Sequence, residues 1–184
     1  MKREILILGD PALRQKSAEV KDFKSPEILS EMEDLKEALE RFRAEKGFGR
    51  GIAAIQIGIP KRMIALNLGK GTFVIFNPEI IFRSGELFTM WDDCMSFPDL
   101  LVRVKRYKTI SLRYQDEEGT PREWPNLSQA ESELLQHEID HLAGILAVDR
   151  AIEKTDLIYR MEFDKHTEFY RAKADYPVNL GAGS

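Results

Sequence analysis

The chain has 184 residues, of which 43 % are hydrophobic and 32 % charged, with a formal net charge of −4 and a sequence pI near 5.5. This composition predicts one globular domain spanning 1–184, and the acidic balance argues against direct nucleic-acid binding. The sequence has no long apolar run and no signal peptide, so we expect no membrane span and a cytoplasmic location. The single cysteine, Cys94, fits a reducing compartment.

The N-terminal half is predicted to contain one main helix. A helical turn or two is expected within 11–18, and Ser25, Pro26 and Glu27 then supply a cap, a first-turn proline and a first-turn acid. Apolar residues recur at steps of four and three up to Gly47, which is typical of a helix packed on the core.

Residues 47–51 form a glycine-rich loop that lacks the Lys-Ser/Thr of a phosphate loop. Strand patterns follow, and Asn77-Pro78 is expected to end one of them. The predicted strands lie at 63–66, 73–76, 80–82, 86–91, 101–104, 109–114 and 121–124. Their short spacing favours antiparallel pairing, and a basic cluster at 103–108 is interpreted as outward residues of a strand and turn.

Ser128 and Glu131 form a capping-box pair that opens a second helix, which Gly144 ends. A short strand is expected at 145–148. A last helix is expected over about 155–174, with Leu157, Met161 and Phe169 among the residues on its inner side. The tail at 181–184 is expected to be disordered.

The second helix carries a pattern that suggests a metal site. His137 and His141 are one turn apart on one helical face, so both imidazoles can bind one metal ion, while Glu138 can act as a general base. The alternative interpretation is a helix with two incidental histidines. The chain has only three histidines, and two of them fall at this spacing around a glutamate, which favours the metal site.

A catalytic site of this kind needs a third protein ligand. Cys94 lies between a predicted strand and a proline-stopped turn, a position suited to a ligand, although a buried structural cysteine remains the alternative. His166 lies in a polar segment and is interpreted as a surface histidine.

Three stretches together resemble the motifs of the peptide deformylases. They are the sequence Gly-Ile-Ala-Ala-Ile-Gln at 51–56, Cys-Met-Ser at 94–96 and Gln-His-Glu-Ile-Asp-His at 136–141. Their order and spacing agree with the family, and the likeness extends over most of the chain. The resemblance implies an α+β fold of mainly antiparallel sheets packed around the metal-binding helix, with a helix in the N-terminal half and a C-terminal helix.

The resemblance also implies the activity and the residues that perform it. Such enzymes hydrolyse the formyl group from N-terminal formyl-methionine of nascent polypeptides and release formate. One divalent metal ion, Fe²⁺ or else Zn²⁺, Ni²⁺ or Co²⁺, would be bound by Cys94, His137 and His141. Glu138 would be the general acid/base acting with a metal-bound hydroxide. Gln56 and the backbone N–H of Met95 would stabilise the oxyanion.

An N-formylated peptide is the expected substrate, the ribosome is a candidate partner, and the chain is expected to act as a monomer. The peptide is expected to lie as an extended strand beside Arg50, Gly51 and Ile52. Leu134 and Ile52 are candidates for the pocket that takes the methionine side chain. Asp140 is expected to orient a ligand or to pair with Arg103 or Arg106.

The sequence departs from the family pattern at four positions. Met95 in place of leucine should matter little, because the backbone carries the role at that position. Asp92 is a shortened acid, Asp93 replaces a glycine that lies against the substrate, and Arg50 replaces an apolar residue between two glycines. The charge of Arg50 is expected either to compensate Asp93 or to face solvent. These changes leave two alternatives open: a divergent deformylase-like amidase with an altered substrate range, or a non-catalytic, metal-stabilised peptide-binding module.

Overall fold

The computed structural model describes residues 3–177, so the expected disorder of 181–184 lies outside the described residues. Four helices and eight strands occur in this part of the chain. The helices are α1 (Pro26–Lys46), α2 (Gln129–Leu142), α3 (Arg160–Lys165) and α4 (Thr167–Arg171). The strands are β1 (Gly51–Ala53), β2 (Met63–Asn67), β3 (Thr72–Arg83), β4 (Leu87–Asp92), β5 (Leu100–Tyr107), β6 (Ile110–Gln115), β7 (Pro121–Trp124) and β8 (Leu157–Tyr159).

The strands form two antiparallel sheets, as the α+β expectation required. One sheet has the order β1-β2-β3-β6-β7, and the other has the order β4-β5-β8. The five-stranded sheet separates two helices. On β2, Met63 and Ala65 pack in the cluster that contains α1, whereas Ile64 and Leu66 pack in the cluster that contains α2. Because strand side chains alternate between faces, one fully buried strand supplies both halves of the core.

Both main helices begin and end as predicted. The hydroxyl of Ser25 caps α1, and Gly47 ends this helix in the left-handed conformation at φ 74°. Ser128 and Glu131 form a reciprocal capping box at the start of α2, and Gly144, also at φ 74°, follows its last turn. These local signals determine where α2, the helix that carries both histidines, begins and ends.

The break expected at Asn77-Pro78 was wrong. The strand β3 continues through both residues with a register shift between Phe76 and Glu79. Asn77 adopts φ 49°, and its side chain bonds to the backbone N and O of Val20 at 2.9 and 2.8 Å. Asparagine tolerates this backbone conformation, so the pair produces a bulge instead of a strand end.

The expected structure after α2 was also wrong in two places. Residues 147–150 form a 3-10 turn, because Asp149 accepts a hydrogen bond from the backbone N of Leu146 at 2.8 Å. The expected single helix over 155–174 is the strand β8 followed by α3 and α4. Leu157 lies in β8 and pairs with Val102 of β5, while Met161 and Phe169 are each 60 % exposed.

The basic cluster at 103–108 is not uniformly outward. Arg106 is buried at 4 % exposure, where it contacts two carboxylates beside α2. Within residues 3–177, no helix is both long and apolar enough to cross a membrane.

Candidate metal centre and active site

Two segments bring one thiol and two imidazoles together. Cys94 follows β4, and His137 and His141 face it from successive turns of α2. The Nε2 atoms of the two histidines are 3.1 Å apart, and Nε2 of His141 is 3.3 Å from Sγ of Cys94. All three side chains are buried. The predicted ligand set therefore forms one compact cluster.

The cluster fits a divalent metal ion. Metal bonds of about 2.0 Å to nitrogen and 2.3 Å to sulfur in tetrahedral geometry place ligand atoms about 3.3–3.7 Å from one another. The two separations of 3.1 and 3.3 Å lie just below and at the lower limit of that range, and all three ligand atoms lie within 4.8 Å of one another. Burial raises the pKa of the Cys94 thiol, so a thiolate there needs a nearby cation. One thiolate and two imidazoles suit Fe²⁺ or Zn²⁺ better than Mg²⁺.

Asp92 orients His137, a role that the sequence analysis did not assign to it. Its Oδ2 lies 3.0 Å from Nδ1 of His137 and 3.0 Å from Nη2 of Arg106. Burial acts to raise the pKa of Asp92, but His137 and Arg106 outweigh it and hold the pKa at about 2. The ionised carboxylate is an acceptor for a hydrogen bond from Nδ1–H of His137, and in that tautomer the Nε2 lone pair faces the cluster.

Asp140 extends this network to the surface. It accepts hydrogen bonds from Nη1 of Arg106 at 2.5 Å and from Nη2 of Arg150 at 2.7 Å. Of the two expected partners, Arg106 is therefore confirmed. Arg103 instead bonds to Asp156 at 3.0 Å.

Glu138 has the surroundings expected of a general base. It is buried, and among the described residues its Oε2 has no hydrogen-bond partner. Burial raises the pKa of Glu138 to about 7. Gly51 packs directly against it, since a Cβ at that position would lie 3.1 Å from both Cγ and Oε1 of Glu138.

Gln56 is fixed beside the cysteine. It lies in a 3-10 turn that follows β1, and its Oε1 accepts a hydrogen bond from the backbone N of Ala53 at 2.9 Å. This bond turns Nε2 toward Cys94 Sγ at 3.5 Å and Ser96 Oγ at 3.2 Å. The amide therefore presents N–H groups to the cluster, while Met95 lines the same cleft.

Cys94 and His137 of the cluster line a cleft of about 380 Å³. Arg50, Gly51, Asp93 and Leu134, four of the five expected substrate-binding residues, line this cleft. Ile52 does not, because its side chain is fully buried in the core cluster that contains α1. Other lining residues, not anticipated from sequence, include Arg43, Phe48, Ala130, Glu133 and Tyr176.

The two unusual charges in the cleft do not pair with each other. Arg50 was expected either to compensate Asp93 or to face solvent. Instead, its Nη2 donates a hydrogen bond to Oε1 of Glu133. Asp93 accepts a hydrogen bond from Nη2 of Arg160 at 2.8 Å. His166 lies between α3 and α4 and is exposed, in agreement with its interpretation as a surface histidine.

Comparisons with known proteins agree with this geometry. The family model for polypeptide deformylase matches residues 2–156. The chain is 40 % identical over 151 residues to a peptide deformylase of Heliobacterium modesticaldum, covering 80 % of this chain and 92 % of that protein. It is 36 % identical over 154 residues to one from Caldanaerobacter subterraneus subsp. tengcongensis, covering 84 % and 92 %.

Solved structures give the same result. The crystal structure of a peptide deformylase from Legionella pneumophila superposes with a TM-score of 0.76 at 30 % sequence identity. The match covers 96 % of this chain and all of that one. The matched sequence, the shared fold and the buried Cys-His-His cluster lead to one conclusion: this chain belongs to the peptide deformylase family of hydrolases.

Proposed function

We propose that this protein uses one divalent metal ion to hydrolyse the N-terminal formyl group of new polypeptides, with formyl-methionine as the residue that the family resemblance implies. Cys94, His137 and His141 would hold the ion, Fe²⁺ or alternatively Zn²⁺, Ni²⁺ or Co²⁺. One observation carries this proposal: an unpaired carboxylate oxygen of Glu138 and the amide of Gln56 adjoin the same buried three-ligand cluster.

The reaction breaks the formyl C–N bond and forms a C–O bond to the oxygen of water. A bound divalent ion supplies Lewis acidity, which makes water acidic enough to ionise near neutral pH. Glu138 accepts a proton from that water and returns it to the leaving nitrogen, so the products are formate and a free amine. Gln56 Nε2 and the backbone N–H of Met95 stabilise the negative oxygen that develops on the formyl group.

The cleft supports binding of an extended peptide. Within the described sheet, β1 is an edge strand, and Gly51 lies in the cleft wall beside Glu138. An edge strand offers backbone groups to an added strand. The absence of a Cβ at Gly51 brings such a peptide close to the reacting groups. The ribosome as a partner, action as a monomer and a cytoplasmic location stay predictions.

The test is formate release from a formyl-Met-Ala peptide by protein loaded with Fe²⁺ under anaerobic conditions. Glu138→Gln is expected to lower kcat by about 10²–10⁴-fold while the bound metal content is unchanged, because the variant cannot transfer the proton. Metal analysis of both proteins is the control. A protein that binds metal and releases no formate from any formyl peptide would contradict hydrolysis and favour the peptide-binding module.

A further inference from the structure

An ion pair forms part of the cleft wall beside the reacting groups. Nη2 of Arg50 donates to Oε1 of Glu133, and Nη1 of Arg50 donates to the backbone O of Ala130 at 2.9 Å. The Glu133 side chain is 4 % exposed, whereas that of Arg50 is 39 % exposed. The guanidinium therefore covers the carboxylate, and Arg50 remains partly exposed where it lines the cleft.

The pair lies where the first side chain of a substrate would extend. Glu133 and Leu134 precede His137 and Glu138 by one helical turn on the same face of α2, a rise of about 5.4 Å. The formyl carbon must lie beside Glu138, and the side chain of the formylated residue begins close to that carbon. Arg50, Glu133 and Leu134 line the same cleft as Glu138. A side chain of methionine length that followed α2 toward its N-terminus within this cleft would therefore pass Leu134 and reach Arg50.

We propose that the Arg50–Glu133 pair makes this pocket polar, and that the preferred substrate is an N-formyl peptide whose first side chain has the length of methionine and ends in a hydrogen-bond acceptor, as glutamine does. The inference rests on the proposed deformylation and departs from the formyl-methionine that the family resemblance implies as the preferred substrate. Methionine is then a slower substrate of the same reaction.

The N–H groups of Arg50 favour a substrate side chain that ends in a carbonyl oxygen. A guanidinium has five N–H groups, and the contacts with Glu133 and Ala130 account for two of them. A thioether sulfur is a weak acceptor, so methionine would displace water from Arg50 without replacing its hydrogen bonds. A carboxamide oxygen replaces one of them, while Leu134 packs against the methylene groups of the side chain.

A second ion pair, which includes the cleft residue Asp93, provides a matched control. Asp93 is adjacent to Cys94 in the chain and pairs with Arg160, whose guanidinium also lies over the Phe48 ring at 5.2 Å from its centroid. This second pair does not lie along α2. The hydrogen-bond partner of Asp93 is Arg160 and not Arg50, so replacing Asp93 removes a charge from the cleft while both hydrogen bonds of Arg50 stay in place.

The experiment compares kcat/KM of the Fe²⁺-loaded protein on formyl-Gln-Ala-Ser, formyl-Met-Ala-Ser and formyl-norleucine-Ala-Ser, with formate as the readout. The three first residues have similar lengths and differ in the end group. We expect glutamine to exceed norleucine by about tenfold or more and to exceed methionine, since an unmet hydrogen bond of a desolvated group typically costs about that factor.

Two variants test whether the preference for glutamine depends on the Arg50–Glu133 pair. Arg50→Leu combined with Glu133→Leu should reverse the order, so that methionine exceeds glutamine by about tenfold, whereas Asp93→Ala should keep the wild-type order. A wild-type protein that prefers norleucine and methionine over glutamine overturns the inference, as does a double variant with an unchanged order.

Binding measurements separate this inference from the proposed reaction. Dissociation constants of the three peptides for metal-loaded Glu138→Gln protein test the pocket even if no peptide is deformylated. Tighter binding of the glutamine peptide supports the polar pocket, and tighter binding of the norleucine peptide overturns it. Absence of formate with every peptide counts against deformylation alone.

Discussion

At the scale of single residues, the two carboxylates beside the Cys-His-His cluster, Asp92 and Glu138, differ in their surroundings. Asp92 is ionised and holds His137, whereas Glu138 is buried with one unpaired oxygen. Their surroundings produce this difference, because His137 and Arg106 stabilise the charge of Asp92 and no comparable partner contacts Oε2 of Glu138 among the described residues.

Removing the charge of Asp92 should weaken metal binding. In Asp92→Asn, the side chain is neutral, so its oxygen is a weaker acceptor for Nδ1 of His137, and Arg106 loses a buried ionic partner. We expect metal affinity to fall by about 10–100-fold, as is usual for groups that orient a ligand. Competition with a chromophoric chelator measures the change. Asp140→Asn, which does not contact either histidine ring, should alter affinity much less.

Gly51 should matter for catalysis because of what it adjoins. An added methyl group would lie 3.1 Å from Glu138 Oε1 and 3.2 Å from Leu134 Cδ1. Gly51→Ala should therefore displace Glu138, the proposed general base. We expect kcat to fall by roughly tenfold or more, since small misplacements of reacting groups are costly. Gly85→Ala is the control, because nothing lies within 4 Å of its added methyl. Equal rates for both variants would contradict this role.

At the scale of elements, α2 is held at both ends. The Ser128–Glu131 capping box fixes its start, and Gly144 follows its end, packed against the backbone of Arg14. The backbone N of Ser17 also bonds to the O of Leu142 at 2.9 Å. The N-terminal segment thus supports the last turn of the helix, next to His141.

Two glycines with the same φ angle allow the stability cost of a strained backbone to be distinguished from the cost of a steric clash. Gly47 and Gly144 both have φ 74°, but a Cβ at Gly47 meets nothing within 4 Å, whereas one at Gly144 overlaps the Arg14 carbonyl oxygen. Gly47→Ala should lower the free energy of unfolding by about 1–2 kcal/mol. Gly144→Ala should lower it by about 1–3 kcal/mol more, because backbone must move. Urea denaturation measures both, and equal losses would contradict the packing argument.

At the scale of the whole molecule, the cluster joins parts of the chain that are distant in sequence. Cys94 follows β4 of the three-stranded sheet, and Gln56 follows β1 of the five-stranded sheet. The histidines come from α2. Side chains separated by up to 47 positions meet within 3.5 Å. A metal ion bound here would link elements that are otherwise joined by packing and hydrogen bonds.

Removal of the metal should therefore destabilise the entire fold. We expect a chelator to lower the free energy of unfolding by several kcal/mol, about 4 kcal/mol if the free metal had been present at 1,000 times its Kd. Denaturant titration of metal-loaded and chelated protein measures this difference. Cys94→Ala protein should show little response to the chelator, and a wild-type protein that also showed none would argue against a bound metal linking these elements.

The sequence by itself determined the features that depend on neighbours in the chain. Helix caps, the period-two strands and the shared face of His137 and His141 follow from residues a few positions apart, so they were predictable. The same signals were insufficient at Asn77, where a bulge depends on Val20, and after Arg150, where pairing with β5 competes with helix formation.

Only the tertiary structure decided which charges meet. Arg50 and Glu133 are 83 positions apart, and Asp93 and Arg160 are 67 apart. No local periodicity encodes such pairs, since they depend on how the loop, α2 and α3 pack against one another. Composition and motif spacing predicted a metal hydrolase site, whereas long-range packing determined the partners of the charged residues that line its cleft.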